Sequence, residues 1–396
     1  MAVRLMSVAA CLVASLAGVP AAFAGSAPDY VPLRVVTYNV KSPLGAPGSS
    51  DALAAGAFMT TQDVDGTGPN TGLSPDIVCF QEIEQSAASN LVNFRNTYLP
   101  GYAIYTAAGD GFNFNATLVR PGITFISHSG LNVGGPRQVG KTRLRVPGTL
   151  KDVIVYNAHF KSGSDSSSRT QRTNNATTSG FNVEFELQQN PGANVIFAGD
   201  LNSDNNVDGT ITPLFFTSVN PSIPSGILNL PVESLAGAAN PNVLAYATFP
   251  SSGGRLDYIC LDTQLAAFFD ANSDGGFSVS ELNSMGFVYY SPDDAGRRSN
   301  GNATATNSTS DHRPVVFDVR LPRDPNAPYF EPSDLNQNGS VDIEDLAQWE
   351  NGFALTAPPT PSPAPDLDGD RNVDGEDRLQ LRSRVRSGEL ADVAGM

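Results

Sequence analysis

A series of short apolar runs in this chain end in side chains that can ligate a cation or move a proton. Val36-Thr-Tyr-Asn39 is the first, and Asp76-Ile-Val-Cys-Phe-Gln-Glu82 follows. Then come Val155-Tyr-Asn-Ala-His159, Phe197-Ala-Gly-Asp200-Leu-Asn202, Arg255-Leu-Asp257 and Ser310-Asp311-His312. Loops at the ends of rigid strands are where sites are built. If these ends converge, they collect Glu82, Asp200, Asp257 and Asp311 with Asn39, Asn202, His159 and His312. Carboxylates gathered without a counter-charge raise one another's pKa, so a cation is the natural complement. Hard oxygen ligands favour Mg²⁺, Mn²⁺ or Ca²⁺ over zinc. Two imidazoles beside such a group suit acid–base work and the stabilisation of charge on a phosphoryl oxygen. Each motif alone is as readily a turn or a cap; the ordered set carries the reading.

Strands must deliver these residues. The apolar runs predict strands at Leu33–Val40, Asp76–Gln81, Ala103–Thr106, Ala116–Val119, Asp152–His159, Asn194–Ala198, Leu256–Leu261 and Pro314–Val319. Several are continuously apolar, as in strands buried on both faces. Helices are expected at Ala87–Tyr98 and, more weakly, at Arg169–Gln189, where Thr, Asn and Gly interrupt the pattern. Strands with interspersed helices make a layered α/β domain. Cys79 and Cys260 lie inside apolar runs and read as buried strand thiols, with pairing left open.

The order of these motifs resembles the endonuclease/exonuclease/phosphatase superfamily, the fold of deoxyribonuclease I, over roughly Leu33–Leu321. The resemblance implies an α/β fold, a four-layer α/β/β/α sandwich of two packed β-sheets. It implies that Asn39 and Glu82 serve a catalytic divalent ion, Mg²⁺ or Mn²⁺, with Glu82 a direct ligand and Asp311 a second carboxylate on the metal side. Asp200 and Asn202 look like the pair that activates water and holds the phosphate. His312 resembles the imidazole at the scissile phosphate, and Asp257 the acid that orients it. His159 holds a position found in the deoxyribonuclease I and sphingomyelinase branches and absent from abasic-site endonucleases. The implied reaction is in-line attack of water on a phosphate ester, with Asp200 as base and His312 and His159 stabilising or protonating the phosphate. Lys161, Arg169, Arg172 and Arg297-Arg298 are candidate phosphate contacts.

Three further segments have the spacing of EF-hand calcium loops. Inside the domain, Asp270, Asn272, Asp274, Gly276, Ser278 and Glu281 fall at ligand positions of an inserted loop spanning 270–281. Near the C-terminus the pattern occurs twice, 32 residues apart: Asp334, Asn336, Asn338, Ser340 and Asp345, then Asp366, Asp368, Asp370, Asn372 and Asp377. A helix-like run follows each. This duplication resembles a type I dockerin, a small α-helical module that folds around Ca²⁺ and binds a cohesin. Arg371 at a turn-Gly position and the Pro-rich stretch Thr356–Pro365 depart from that pattern.

Composition places the parts. The chain has 396 residues and a formal net charge of −16. Residues 331–396 alone hold 14 acidic and five basic side chains, a net of −9. Bulk charge therefore excludes a polyanion-coating protein, whereas three Ca²⁺ and one catalytic cation would bring the total to roughly −8. Residues 1–24 have the basic start, apolar stretch and Ala22-Phe-Ala24 site of a secretory signal. No later segment has the ~18 apolar residues of a membrane span. The expected layout is a signal peptide at 1–24, a catalytic domain at 25–322, a linker at 323–332 and a dockerin-like module at 333–396. The expected function is that of a secreted phosphoesterase, foremost a nuclease acting on nucleic acid, anchored through a cohesin-like or cell-surface partner. A sphingomyelinase, an inositol-phosphate type phosphomonoesterase and a non-catalytic calcium-dependent binding protein are the alternatives. Asn-x-Ser/Thr sequons stand at Asn115, Asn175, Asn302 and Asn307.

Overall fold

In a computed structural model of the chain, the strands and helices that position the polar strand ends all lie within residues 29–327. The structure describes residues 30–41, 44, 52, 55–56, 59–60, 74–203, 208–216, 228–229, 248–249, 254–262, 265, 286–288, 310 and 312–326. The segments expected to be a secretory signal, three calcium loops and a C-terminal module lie outside the described residues, as do Asp311 and Arg297-Arg298.

Twelve strands are described, in two six-stranded sheets. The first sheet contains β1 (Tyr30–Asn39), β2 (Ile77–Glu84), β3 (Ala103–Thr106), β4 (Asn113–Val119), β11 (Gly286–Val288) and β12 (Val315–Pro322), in the order β11-β12-β1-β2-β4-β3. The second contains β5 (Thr124–Leu131), β6 (Val139–Arg145), β7 (Val153–His159), β8 (Asn194–Asp200), β9 (Leu228–Asn229) and β10 (Asp257–Asp262), in the order β5-β6-β7-β8-β10-β9. Each sheet is antiparallel except for one central parallel pair, β1 with β2 and β7 with β8. Those four strands therefore bring four polar C-terminal ends to the sheet centres.

Side chains alternate between the faces of a strand, and both faces here are covered. Val35, Cys79, Val155, Ile196, Ile259 and Phe317 pack between the sheets. On the outer face of the first sheet, Val36, Tyr38, Val78 and Phe80 meet Leu91 and Phe94 of α1 (Ala88–Tyr98). On the outer face of the second, Tyr156, Val195 and Phe197 meet Ala176 and Val183 of α2 (Ser166–Gln189). The result is two mixed sheets packed face to face with a helix against each outer face. A single turn, α3 (Pro213–Phe216), follows β8. Among the described residues no helix is long and apolar enough to cross a membrane.

Neither cysteine is in a disulfide and both are buried, Cys79 between the sheets and Cys260 beneath α2. Burial pushes the Cys79 thiol up to about 12. The α2 helix begins three residues earlier than expected because Asp165 caps it, accepting from the Ser168 N–H at 3.0 Å. Its buried stripe is Ser168, Arg172, Asn175, Ala176, Ser179, Gly180, Val183 and Glu184, correctly spaced for a helix but mostly polar. Strands β5 and β6 escaped the sequence reading for a similar reason. β5 is a largely exposed edge, and β6 alternates buried residues with Lys141, Arg143 and Arg145. Beyond β12, Arg323 bridges to Thr149, and the Asp324 N–H donates to the Gly148 carbonyl at 2.9 Å.

A polar bridge joins the two sheets next to the converging strand ends. Gln81 of β2 donates to Asn157 Oδ1 of β7 at 2.8 Å and also meets Thr37 of β1 at 3.1 Å. Asn157 Nδ2 donates back to the Ala116 carbonyl at 3.0 Å and the Phe80 carbonyl at 3.2 Å. Asn115 Nδ2 donates to the Asn157 carbonyl at 3.3 Å. Within the second sheet β7 and β8 run so close at Gly199 that an added Cβ would lie 2.0 Å from the Ala158 carbonyl oxygen. Gly199→Ala should therefore prevent folding or cost more than about 4 kcal/mol in urea denaturation. A variant with wild-type stability would show that this approach is not a constraint.

Candidate active site

The backbone is unusual where the strands end. Glu82 (φ +57°), Asn202 (φ +52°) and Lys41 (φ +44°) all occupy the left-handed region. A register shift between Phe80 and Ile83 in the β2–β4 ladder brackets Glu82. Bulges of this kind re-aim a side chain, and left-handed non-glycine residues cluster where a site over-determines the backbone.

The acids and imidazoles come together in one group. Asn39 sits at its centre: Nδ2 donates to Asp200 Oδ2 at 2.8 Å and to Glu82 Oε1 at 3.2 Å. The Lys41 N–H donates to Asn39 Oδ1 at 2.9 Å, which fixes the amide's orientation. The structure thus turns the amide nitrogen of Asn39 toward the carboxylates, so Asn39 orients them and its oxygen is engaged elsewhere. Asp200 also accepts from the Asn202 N–H at 2.9 Å, while Asn202 Nδ2 donates to the Phe160 carbonyl at 3.2 Å.

His159 Nε2 lies 3.4 Å from Glu82 Oε1 and 3.5 Å from Asp200 Oδ2. His312 Nδ1 bonds Asp257 Oδ2 at 2.7 Å, and its Nε2 lies 3.8 Å from Asp200 Oδ2. Asp257 and Asp200 face each other across the β10–β8 ladder. Ser310 ties the last motif to the first, donating to the Asn39 carbonyl at 2.5 Å while accepting from the His312 N–H at 3.0 Å. Of the eight expected residues, seven are thereby placed; Asp311 lies outside the described residues.

Electrostatics follow from burial. Asp200 is 1 % exposed, and desolvation raises its carboxyl to about 7. The Asp257 charge pushes the same way, while His312, the Asn39 amide and the Asn202 N–H oppose it. His159 is held well below the ordinary histidine value, chiefly by burial and then by the charges of Arg137, His312 and Lys161. Two buried atoms, His159 Nε2 and Asp257 Oδ1, make no hydrogen bond within the protein. Ligand atoms of Glu82, His159 and Asp200 all lie within 4.8 Å of one another, as do those of Asp200, Asp257 and His312. A carboxylate pair sharing one amide donor, Asp200 buried and Glu82 part-exposed, fits a hard divalent cation, because oxygens of both lie within 4.8 Å of each other.

Not every basic residue after His159 faces this group. Arg172 is buried and donates to the Lys161 and Gly163 carbonyls at 3.0 and 2.6 Å, to Thr210 Oγ1 at 3.1 Å and to Asp208 Oδ2 at 2.7 Å. It fastens the segment after His159 to the segment after Asp200 and is not placed to contact a phosphate. Arg169 lies 4.0 Å from the same Asp208 carboxylate and is half-exposed. Two sequons are likewise ruled out as glycan acceptors. Asn115 and Asn175 are buried, and Asn175 donates to the Val133 carbonyl at 2.7 Å.

Residues missed from the sequence are Gln81 and Asn157 beneath the site, Ser310 and Thr248 beside it, and Arg137. Thr248 Oγ1 accepts from the Leu256 and Asp257 N–H groups at 2.8 and 3.0 Å. Arg137 Nη1 contacts His159 Nδ1 at 2.8 Å. Gln81 and Asn157 had a signal, since a polar residue sits inside each apolar run. Arg137 had none: it stands in a loop, 22 positions before its partner.

The fold and the acid–imidazole group define a phosphoesterase of the two-sheet sandwich type. The chain belongs to the endonuclease/exonuclease/phosphatase family, whose model matches residues 36–312. The dockerin type I domain model matches residues 332–386. Among solved structures, truncated TDP2 from Caenorhabditis elegans is 18% identical, with a TM-score of 0.47, covering 73% of this chain and 97% of that one. An endonuclease/exonuclease/phosphatase family protein from Bacteroides thetaiotaomicron is 17% identical, with a TM-score of 0.44, covering 74% and 98%. No curated protein is significantly similar in sequence.

The Asp208 pair gives a test of the Arg172 assignment. Burial opposes ionisation of Asp208, but hydrogen bonds from Ser203, Thr210 and Arg172 outweigh it and hold the carboxyl below its usual value. A depressed carboxyl stabilises the fold above about pH 4, and that contribution is lost as pH falls through the folded-state value. Asp208→Asn should cost about 3 kcal/mol at pH 7, because it strands the buried Arg172 charge, and should flatten the acid limb of the stability profile. Unchanged stability at both pH 7 and pH 3 would return Arg172 to the candidate phosphate contacts.

Proposed function

We propose that this chain is a secreted, metal-dependent phosphoesterase that hydrolyses phosphodiester bonds, foremost an extracellular nuclease. The observation that carries the reading is the gathering of Asn39, Glu82, His159, His312 and Asp257 around the buried Asp200 at the ends of strands from both sheets. Glu82, with Asp200 beside it and Asp311 as a further candidate, would hold Mg²⁺ or Mn²⁺. A cation bound there supplies Lewis-acid polarisation of a phosphoryl oxygen.

The chain's own residues supply the remainder. The Asp200 carboxylate, pinned by Asn39 and Asn202, accepts a proton from the attacking water. The His312 imidazole, oriented by Asp257, presents Nε2 toward the same point and offsets negative charge as it builds on the phosphate. Asn202 holds the turn that follows Asp200. A cavity of about 360 Å³ opens beside Glu82, lined by Lys41, Glu82, Glu84, Ser86, Gly111, Phe112 and Asn113. Phe112 is 77 % exposed at its rim, a stacking surface for a base next to the scissile phosphate. The same centre would serve a sphingomyelinase or a phosphomonoesterase.

Residues 1–24 would direct export, and three loops, at 270–281, 334–345 and 366–377, would bind Ca²⁺. The C-terminal module would hold the enzyme to a cohesin-like or cell-surface partner. The catalytic domain would begin at residue 25 and end near 322–327.

Full-length protein assayed on plasmid DNA, RNA, sphingomyelin and an inositol phosphate, with Mg²⁺ and then with EDTA, tests the reading. DNA or RNA cleavage that EDTA abolishes is expected. Hydrolysis of the lipid alone would replace the nuclease with a sphingomyelinase. No metal-dependent hydrolysis of any of the four would leave a calcium-dependent binding protein. Asp200→Asn should abolish turnover with the thermal midpoint retained. Phe112→Ala should raise KM for single-stranded DNA at least about fivefold while leaving kcat near wild type, reflecting the loss of one stacked base.

A further inference from the structure

We propose that the cavity beside Glu82 is a subsite for one unpaired guanine, with the base stacked on Phe112 and its Watson–Crick edge donated to the Glu84 carboxylate. This subsite names the base that the nucleic-acid reading of the neighbouring centre leaves open, and it rests on that reading. Face and edge of the base are met by two side chains that line the same cavity.

A single exposed apolar side chain is ordinary on a protein surface. Phe112 differs in how firmly its turn is held. Asp110 Oδ1 accepts from the Phe112 and Asn113 N–H groups at 2.9 and 2.8 Å, and the Asp110 N–H donates to the Asn113 carbonyl at 3.1 Å. The Phe112 carbonyl accepts from the Gln85 N–H at 2.7 Å, which ties the turn to the end of β2. Asp110 Oδ2 lies 3.8 Å from Arg137 Nε, and Arg137 Nη2 donates to the Phe160 carbonyl at 3.2 Å. The turn is thus braced from two sides while its aromatic ring stays 77 % exposed. A stacking surface set in place beforehand loses little freedom when a base settles on it.

Glu84 stands opposite Asn113 in the β2–β4 ladder, one residue before the Gln85 N–H that holds Phe112. Opposed residues have Cβ atoms about 5 Å apart, so carboxylate and ring can address one base together. Ser86 Oγ donates to Glu84 Oε1 and steadies the carboxylate. Among the described residues the Glu84 side chain has no other hydrogen bond or ion pair. An ionised carboxylate only accepts, at about four lone-pair sites, so its two oxygens select an edge with two adjacent donors. Guanine alone among the bases has one, N1–H beside the N2 amino group. Adenine and cytosine place a ring-nitrogen acceptor next to their amino group, and uracil and thymine flank N3–H with carbonyls. Each of those presents a lone pair to the anion. In a duplex the guanine edge is taken by cytosine, so the subsite receives guanine from single strands, loops or opened ends. Lys41, on the same cavity wall, gives the adjoining phosphate a cation.

The test is fluorescence anisotropy of full-length Asp200→Asn protein with short labelled oligothymidine strands that carry one central guanine, inosine or adenine. Inosine differs from guanine only in lacking the N2 amino group. The guanine strand should bind at least about fivefold tighter than the inosine strand and about tenfold tighter than the adenine strand. Glu84→Gln, which puts a donor in place of one acceptor oxygen, should erase both preferences, whereas Phe112→Ala should weaken all three strands alike. Wild-type protein with Mg²⁺ should cut the guanine strand at a fixed distance from the guanine and the inosine strand at no preferred position. Equal affinity for guanine and inosine, or a guanine preference kept by Glu84→Gln, would overturn the subsite. If either variant does not fold, the wild-type cleavage maps of the guanine and inosine strands decide. Guanosine monophosphate added as competitor separates the two sources of the base. Displacement at the strand's own concentration assigns the subsite to the free nucleotide, and displacement only in large excess assigns it to guanine within a strand. Metal-dependent cleavage with no relation to guanine retains the phosphoesterase and removes the subsite; guanine-over-inosine binding without any hydrolysis does the reverse.

Discussion

The hydrogen bond between Gln81 and Asn157 ties the two sheets together at the one height where their polar ends must meet. Apolar packing between sheets is non-directional and would tolerate a small slide of one over the other. An amide pair in that interior tolerates much less, because each unsatisfied group carries its own desolvation penalty. Gln81 precedes Glu82 and Asn157 precedes His159 by two residues. A slide of one sheet would therefore be felt first by the acid and the imidazole that must share a cation-sized space.

Above that bridge the constraint is electrostatic. Asp200 and Asp257 are almost completely buried and lie opposite each other across one ladder. Two such acids persist only if each has donors of its own. Asn39 and the Asn202 N–H serve Asp200, and His312 serves Asp257, while Thr248 braces the backbone at Asp257. The left-handed conformations of Glu82, Asn202 and Lys41 belong to the same solution. The bend at Asn202 turns its N–H onto Asp200, the bend at Lys41 turns its N–H onto the Asn39 amide oxygen, and the bend at Glu82 keeps its carboxylate within reach of the Asn39 amide. The arrangement resembles a spring-loaded clamp, in which local backbone strain is offset by hydrogen bonds that exist only when all the strands are in place.

Much of this was legible in the residues. Strands buried on both faces announce themselves as apolar runs, and β1, β2, β7, β8, β10 and β12 were visible for that reason. A polar or ionisable residue at the end of such a run stands out against it, which made the convergence of Asn39, Glu82, His159, Asp200, Asp257 and His312 readable. Edge strands gave no such contrast: β5 is mostly exposed, and β6 presents cationic side chains on one face. Arg172 was misread because proximity in sequence to His159 says nothing about direction; its side chain turns inward to Asp208. Arg137 was invisible because the loop that carries it reaches His159 only through the β5–β6–β7 arrangement, which no local pattern records.

The two thiols have a different significance once their places are known. Cys79 faces the interior between the sheets, whereas Cys260 faces outward beneath a helix, so the body of the second sheet stands between them. No covalent cross-link helps to hold the described core, which is closed by side-chain packing and amide bridges alone. Such a core matures without oxidative chemistry, and its stability is indifferent to the redox state of its surroundings.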